Sequence, residues 1–478
     1  MNYSMIRYTL GWLLLFEAGF FTLPLIVAAI YWEAAFFSWL ISIAVALGIG
    51  YLLTHRKPKN TAIYAREGFV IVSLSWIVLS LFGAMPFLLA GTTDSFINAL
   101  FESASGFSTT GASIFATVED LPRSILIWRS FTHWIGGMGV LVFIMAFLPL
   151  CGGHNMHIMR AESPGPSVSK LVPRVKNTAI ILYGIYLALT VIQFIAMLFS
   201  GMSVFDAMNT AFATAGTGGL GFRNDSFASF TMTQQTIVTV FMLIFSINFN
   251  SYYLLLKTKF KDAFNSEVRI FLLIVAVAIT IITVNTRDGY ETIRESLHHA
   301  AFTVASLIST TGFSTVDFNL WPELSRTVLM MIMFIGACAG STGGGIKVSR
   351  IVILFKGAAR ELRMLLHPRQ VKKITLDKRP VEHEVVRSVN AYIACYIIIF
   401  ALSFLLISFE NRDLISTFTA VSASLNNIGP GLETVGPTSN FASFTDFSKI
   451  VLIFDMLAGR LELFPMLILF SPSTWKKA

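Results

Sequence analysis

Apolar blocks of about 20 residues alternate along the chain with short polar connections, and this length matches a helix that crosses the hydrocarbon core of a bilayer. We predict about ten membrane-spanning helices and no large soluble domain. The blocks cover residues 10–32, 34–54, 68–93, 130–153, 177–204, 226–256, 270–286, 327–346, 388–409 and 450–470.

Four stretches between these blocks are too rich in glycine and hydroxyl residues to cross a membrane, yet too apolar to be ordinary loops. They cover residues 101–113, 211–221, 305–314 and 423–431. Alignment of Gly111, Gly218, Gly312 and Gly429 leaves two predicted spans in each interval. Because two spans restore the original direction, all four units enter the membrane with the same orientation.

This repetition predicts an all-α polytopic membrane protein with four parallel helix–pore loop–helix repeats around a central pore, preceded by an extra helix pair. Units of one orientation pack most simply around an axis along the membrane normal. The predicted units are residues 1–60 (the N-terminal two-helix unit), 61–155 (repeat 1), 156–262 (repeat 2), 263–380 (repeat 3, with a gating loop and a basic cytoplasmic segment) and 381–478 (repeat 4).

The chemistry of the four loops suits a dehydrated cation. A short helix that begins outside the membrane points its carboxyl end, with partial negative charge, at the bilayer centre. Glycine then permits the positive φ with which the chain turns back, and exposed carbonyls can replace the hydration shell of an ion. The expected helix-initiating residues are Thr93 or Asp94, Ser203, a residue within 286–290, and Asn411 or Asp413. The alternative is that these sequences are turns or helix-packing motifs, but four matched copies favour pore loops.

The charge distribution predicts an orientation. Only 13% of the residues are charged and 55% are hydrophobic, with a mean hydropathy of +0.70, which excludes an ordinary soluble enzyme. Lysine and arginine exceed aspartate and glutamate, 35 against 27, and concentrate in alternate connections. This is the positive-inside pattern with both termini cytoplasmic, so the net charge of +8 reflects topology and no nucleic-acid partner is expected.

Together with three further motifs, the loops resemble those of the Trk/Ktr/HKT superfamily of potassium transporters, most closely the TrkH-type membrane subunit. The motifs are His-Trp-Ile-Gly-Gly-Met-Gly at 133–139, Gly-Ser-Thr-Gly-Gly-Gly-Ile-Lys at 340–347 and Gly-Arg-Leu-Glu at 459–462. The helix pair within residues 10–54 also resembles the TrkH branch. The resemblance covers nearly the whole chain.

The resemblance implies potassium uptake through a channel-like pore with a carbonyl-lined filter, in a homodimer whose chains each contain a pore. Glycine at all four aligned positions resembles the potassium-selective pattern, because serine at the first of them accompanies sodium transport in plant relatives. The fourth loop departs most, so the fourfold symmetry should be approximate. The implied filter residues are Thr109, Thr110, Gly111, Gly216, Thr217, Gly218, Thr310, Thr311, Gly312, Asn427, Ile428 and Gly429.

A glycine-rich interruption at residues 336–345 predicts a break in the span at 327–346. Each glycine costs roughly 1 kcal/mol relative to alanine in a helix, so several together disfavour a straight helix. The gating loop of the family occupies the matching place. The alternative is close helix packing, which does not require three consecutive glycines. The implied gate residues are Gly340, Ser341, Thr342, Gly343, Gly344 and Gly345.

Arg460 lies inside the last predicted span, where a cation must be paired or hydrated and should face the bundle interior. The family has an arginine in the ion pathway just below the filter at this place. We therefore expect Arg460 to belong to the gate and to slow conduction by repelling K⁺. The alternative is a structural ion pair with Asp455, Glu462 or another chain.

The longest inward segment, residues 349–384, is rich in lysine and arginine. This pattern fits attraction to anionic lipid in the bilayer. It also fits the docking of the family's cytoplasmic nucleotide-binding regulatory subunit, which is RCK-type and TrkA-like. No Rossmann or P-loop pattern occurs in this chain, so no cofactor is expected beyond the transported K⁺. The implied location is the bacterial cytoplasmic (inner) membrane.

Two other functions stay open. One is a Na⁺-permeable or cation-coupled symporter of the same superfamily. The other is a secondary transporter of a small organic solute, which would more often show inverted repeats and a charged site at mid-membrane. An enzyme is not expected, because neither the histidines nor the serines form a recognisable catalytic set.

Overall fold

The computed structural model describes residues 1–60, 63–139, 175–367, 373–377 and 379–476. The regular secondary structure of this part of the chain is almost entirely helical. Its strands are the short antiparallel pair β1 (Thr375–Leu376) and β2 (Arg379–Pro380). The predicted boundary between residues 155 and 156 lies outside the described residues, and the other unit boundaries stay predictions.

The N-terminal unit contains α1 (Tyr3–Phe20), α2 (Thr22–Ile30) and α3 (Phe36–Thr54). Helices α1 and α3 pack closely where two glycines meet. A Cβ atom on Gly11 would lie 3.0 Å from the carbonyl oxygen of Gly50, and small residues of this kind let helix backbones approach each other. A buried aromatic cluster of Phe21, Trp39 and Trp128 then packs this unit against the first repeat.

The remaining helices form four groups. Each group contains a long first helix, a helix that ends in one of the four loops, and a helix that follows the loop, which we call the inner helix; short helices complete the groups. The first two groups are α4 (Ala65–Gly83), α5 (Met85–Leu89), α6 (Phe96–Phe107) and α7 (Arg123–Gly137), then α8 (Val175–Phe199), α9 (Val204–Gly216), α10 (Met232–Phe245), α11 (Phe249–Leu256) and α12 (Phe260–Ala263). The last two are α13 (Ser266–Thr286), α14 (Ile293–Ile308), α15 (Glu323–Ile335) and α16 (Val348–Leu366), then α17 (His383–Ile407), α18 (Leu414–Leu425), α19 (Asp446–Arg460), α20 (Phe464–Phe470) and α21 (Pro472–Trp475).

Within the described residues, three predicted spans are interrupted, and most of the predicted span at 130–153 lies outside these residues. In the described ranges, six helical segments are long and apolar enough to cross a membrane, or seven if the bent pair α10 and α11 is one span. That pair bends by 91°, α15 ends before Gly336, and the last predicted span breaks after Arg460. Hydropathy measures apolar content, so it cannot detect a change of backbone direction within an apolar block.

The four short helices α6, α9, α14 and α18 each begin with a side-chain N-cap. Ser203 and Asp413 cap α9 and α18 as predicted, whereas Ser95 and Thr292 cap the other two, slightly later than expected. Partial burial raises the pKa of the Asp413 carboxyl, but hydrogen bonds from the Ser416 hydroxyl and backbone N–H outweigh it, and the pKa is lowered overall. A charged cap stabilises the helix start and fixes the direction of its carboxyl end.

Candidate functional site

Each of the four loops makes the same backbone turn at the carboxyl end of its short helix. The first residue of the turn is in the left-handed region, and a glycine with positive φ follows two residues later. The first residues are Thr109, Thr217, Thr310 and Asn427, with φ of 59°, 55°, 61° and 55°. The glycines are Gly111, Gly219, Gly312 and Gly429, with φ of 82°, 70°, 84° and 96°. The repeats inferred from the sequence therefore share a local conformation.

The residue between these two positions is fixed by a backbone hydrogen bond to the carbonyl five residues earlier in its own helix. The N–H groups of Thr110, Gly218, Thr311 and Ile428 donate to the carbonyls of Ser105, Ala213, Ser306 and Ala423 at 2.9, 3.0, 2.8 and 2.8 Å. These bonds set the register of each loop independently of its side chains.

The four loops lie next to one another in a closed order. A Cβ atom added to each positive-φ glycine would overlap or crowd a carbonyl oxygen of the following loop, so only glycine fits there. The pairs are Gly111 with Gly218, Gly219 with Thr311, Gly312 with Ile428, and Gly429 with Thr110. The fourth loop thus returns to the first, and the loops surround one axis.

The second loop differs by one residue from the sequence alignment. Gly219, and not Gly218, is equivalent to Gly111, while Gly216 is the last residue of α9. The alignment on Gly218 was wrong because residues 216–221 contain four glycines, and the position where the helix ends decides which one takes the turn. Thr217 keeps its place, but as the equivalent of Thr109.

The fourth loop joins the ring although it lacks the threonine of the others. The Asn427 side chain donates to the Thr110 hydroxyl at 3.0 Å and to the Met456 carbonyl at 2.8 Å. This amide links the fourth loop to the first loop and to the inner helix α19. The departure from the common pattern therefore has a structural use, and the symmetry is approximate as expected.

On one side of the ring, the four positive-φ glycines line a common cavity of about 120 Å³. Its wall also includes Ser113, Ser226, Ser314 and Arg129. In the described ranges, no group of three or more histidine, cysteine or acidic side chains is placed to hold a metal ion. The residues that line this cavity include no aspartate or glutamate, and its charged lining residues are Arg129 and Arg223.

The glycine-rich segment packs against the ends of the third and fourth loops. The Gly344 N–H donates to the Thr310 hydroxyl at 2.6 Å, and the Gly345 N–H donates to the Asn426 carbonyl at 3.1 Å. Residues between Gly336 and Lys347 are non-helical, as the glycine content predicts. The predicted break and the predicted loops are thus in direct contact.

Two charged residues that were not among the predicted site residues fasten this segment. The Glu267 carboxylate accepts hydrogen bonds from the N–H groups of Ala339 at 2.7 Å and Ser349 at 3.1 Å. The Lys347 ammonium group donates to the Gly343 carbonyl. Both side chains are buried. In the sequence, these two residues stand out only by position: Glu267 is a charged residue beside an apolar block, and Lys347 is a charged residue beside the glycine-rich block.

Arg460 connects the glycine-rich segment to α7. Its guanidinium donates to the Thr342 carbonyl at 2.7 Å and to the Gly136 carbonyl, at the carboxyl end of α7, at 2.6 Å. The acidic residues considered as its partners have other contacts: Glu462 pairs with Arg350, and Asp455 accepts from Ser403 at 2.7 Å. Arg460 thus contacts backbone carbonyls of two different segments of the chain.

Comparisons with known proteins find relatives that match nearly the whole chain. The sequence model of the TrkH family, described as a cation transport protein, matches residues 35–477. The chain is 38% identical to the Trk system potassium uptake protein TrkH of Salmonella typhimurium and 33% identical to that of Halomonas elongata, over 100% of both proteins in each case. Identity to the Trk system potassium uptake protein TrkG of Escherichia coli K12 is 31%, over 95% of this chain and 94% of that protein.

The crystal structure of the potassium transporter TrkH from Vibrio parahaemolyticus has the same fold. The TM-score is 0.90 at 33% identity, and the match covers 100% of each chain. The prediction of an all-helical polytopic membrane protein is confirmed. With the family match over residues 35–477, these similarities show that the chain belongs to the TrkH family of cation transport proteins.

Proposed function

We propose that this chain takes up potassium through a channel-like pore between its four repeats, with backbone oxygens of the four loops as the selectivity filter. The observation that carries the proposal is the closed order of contacts, in which each loop meets the next through a glycine and a carbonyl. Backbone carbonyls can replace the water shell of K⁺ without a charged ligand. The names of the relatives, which are potassium uptake proteins, support the choice of ion.

In this proposal the filter segments are residues 109–111, 217–219, 310–312 and 427–429. Gly219 replaces Gly216 in the set expected from the resemblance, because Gly219 has the positive φ and the close carbonyl neighbour that the other three glycines have. The four short helices direct their carboxyl ends toward the same place, where partial negative charge favours a cation.

The glycine-rich segment, residues 340–345, acts as a gate beneath the filter. Its hydrogen bonds to Thr310 and Asn426 support this role, because they hold non-helical backbone across the inner ends of two filter loops. Arg460 adds to the barrier in two ways. Its charge repels K⁺, and its hydrogen bond to Thr342 holds the segment in this position.

The chain acts as one half of a homodimer in the bacterial inner membrane, with both termini cytoplasmic and no enzymatic activity. Its conduction is controlled by a cytoplasmic nucleotide-binding subunit of the RCK type. Helix α16 supports a cytoplasmic contact, because it presents Arg360 and Arg363 beside the exposed apolar side chains Phe355 and Leu362.

Isotope uptake into liposomes that contain the purified full chain tests the proposed function. Rb⁺, a close substitute for K⁺, is compared with Na⁺ and with a neutral organic solute. The proposal expects Rb⁺ uptake well above that of Na⁺ and no uptake of the solute above protein-free liposomes. Equal Rb⁺ and Na⁺ uptake would instead favour the sodium-permeable alternative, and uptake of the solute alone would favour the organic-solute transporter.

A further inference from the structure

Two side chains of α7 contact consecutive residues of the second loop. Arg129 and His133 are four residues apart, so they lie on the same face of the helix. The Arg129 guanidinium donates to the Gly221 carbonyl at 2.8 Å, and His133 Nε2 accepts from the Leu220 N–H at 3.1 Å. These two bonds fix the chain immediately after Gly219.

The same two side chains also contact the first short helix, α6. Arg129 Nε donates to the Glu102 carboxylate at 2.7 Å, and His133 Nδ1 lies 2.7 Å from the Gly106 carbonyl oxygen. Glu102 in turn accepts from the Ile114 N–H of the first loop at 3.0 Å. We call Glu102, Arg129 and His133 the α7 bracket, because they join the first loop and its helix to the second loop.

The partners of His133 fix its protonation state. A carbonyl oxygen can only accept and a backbone N–H can only donate, so Nδ1 carries the proton and Nε2 accepts. The three side chains of the bracket are at most 2% exposed. His133 is fully buried, so water cannot replace a hydrogen bond that it loses, and the loop would lose a fixed contact.

The third and fourth loops are held differently. The Ser306 hydroxyl, on the third loop's own helix, donates to the Phe313 carbonyl at 2.6 Å. The Thr419 hydroxyl, on the fourth loop's own helix, accepts from the Leu432 N–H at 3.0 Å. The position of the second loop thus depends on side chains of a neighbouring inner helix, and this dependence makes it sensitive to substitutions in α7.

We propose that Arg129 and His133 are positioning residues that determine the preference for K⁺ over Na⁺ by fixing the second loop relative to the first. The inference rests on the proposed function, in which these loops form the filter. A filter selects by the number and placement of its oxygens. A loop released from the bracket can move inward around the smaller Na⁺, so selectivity falls while transport continues.

His133→Phe and His133→Gln provide the test, with the ratio of Rb⁺ to Na⁺ uptake as the readout in liposomes. Phenylalanine fills the space but offers neither donor nor acceptor, whereas glutamine offers both. The ratio should fall at least about tenfold in His133→Phe, the size expected for loss of a buried hydrogen bond, and glutamine should restore most of it. Trp134→Phe is the matched control, because it removes a hydrogen bond from α7 to Thr190 that does not involve a loop.

A second variant keeps the test decisive if His133→Phe does not fold. Arg129→Lys retains the charge beside Glu102, but a single ammonium group cannot reproduce the forked contact with both Glu102 and Gly221. It should lower the same ratio. A folded variant of either kind with the ratio of the unsubstituted chain would overturn the inference. Failure of the proposed function itself would appear differently, as an absence of Rb⁺ preference in the unsubstituted chain.

Discussion

Four glycines carry most of the information about the candidate site. At each of them the backbone has positive φ and the space of a Cβ atom is occupied by a carbonyl oxygen of the next loop. These two requirements are independent, and only glycine satisfies both. The sequence therefore contains a strong signal for the ring, although it could not specify which glycine of residues 216–221 is used.

Gly219→Ala should reduce the ratio of Rb⁺ to Na⁺ uptake at least about tenfold, because a methyl group would push the Thr311 carbonyl out of place and a left-handed alanine costs roughly 1 kcal/mol more. The control is Gly91→Ala, since Gly91 has a similar φ of 66° but a Cβ atom added there would meet no other atom within 4 Å. An unchanged ratio in a folded Gly219→Ala protein would argue against the revised register.

Arg460→Ala should increase Rb⁺ flux by about threefold to tenfold, equivalent to lowering the barrier by roughly 1 kcal/mol. The substitution removes both the positive charge and the bond to Thr342. Arg460→Lys separates these effects, because lysine keeps the charge but cannot span Thr342 and Gly136 together. We expect the flux of Arg460→Lys to lie between that of Arg460→Ala and that of the unsubstituted chain. A lower flux in folded Arg460→Ala would contradict a role as a barrier.

At the scale of elements, the inner helices explain why the predicted spans and the observed helices differ. Three of the predicted apolar blocks break: at the bend between α10 and α11, at Gly336 and after Arg460. The break at Gly336 was predictable from its glycines. The bend between α10 and α11 was not, because residues 246–249 contain neither glycine nor proline, and tertiary contacts such as the bond from the Cys338 N–H to the Ser246 carbonyl hold it. The break after Arg460 was missed, although Glu462 and Pro465, in the first turn of α20, follow it closely.

Deletion of Gly343, Gly344 and Gly345 should raise Rb⁺ flux several-fold and leave the ratio of Rb⁺ to Na⁺ uptake nearly unchanged, since it removes no residue of the four loops and none of the contacts between them. Stopped-flow or isotope flux with the purified protein measures both quantities. If the deletion does not fold, Glu267→Ala is the alternative. It removes the carboxylate that accepts hydrogen bonds from the Ala339 and Ser349 N–H groups, on either side of the glycine-rich segment. Unchanged flux from a folded variant would favour the packing role of these glycines.

At the scale of the whole molecule, the repeats and their common direction followed from the spacing of the loops. Their arrangement around a central axis was also predicted, but the order in which the loops contact one another followed only from the structure, because the sequence does not state which loops are neighbours. The α7 bracket was also beyond prediction. Glu102 and Arg129 lie on different helices, and their pairing emerges only when α6 and α7 pack together.

In the proposed pore, oxygens from all four loops surround one dehydrated cation. The most direct test of this arrangement is the anomalous scattering of Rb⁺ in crystals of the full chain. We expect a peak on the axis enclosed by Gly111, Gly219, Gly312 and Gly429, within bonding distance of backbone oxygens from every loop. A protein that transports Rb⁺ but binds it only away from this axis, or against a single loop, would contradict a filter built from all four loops.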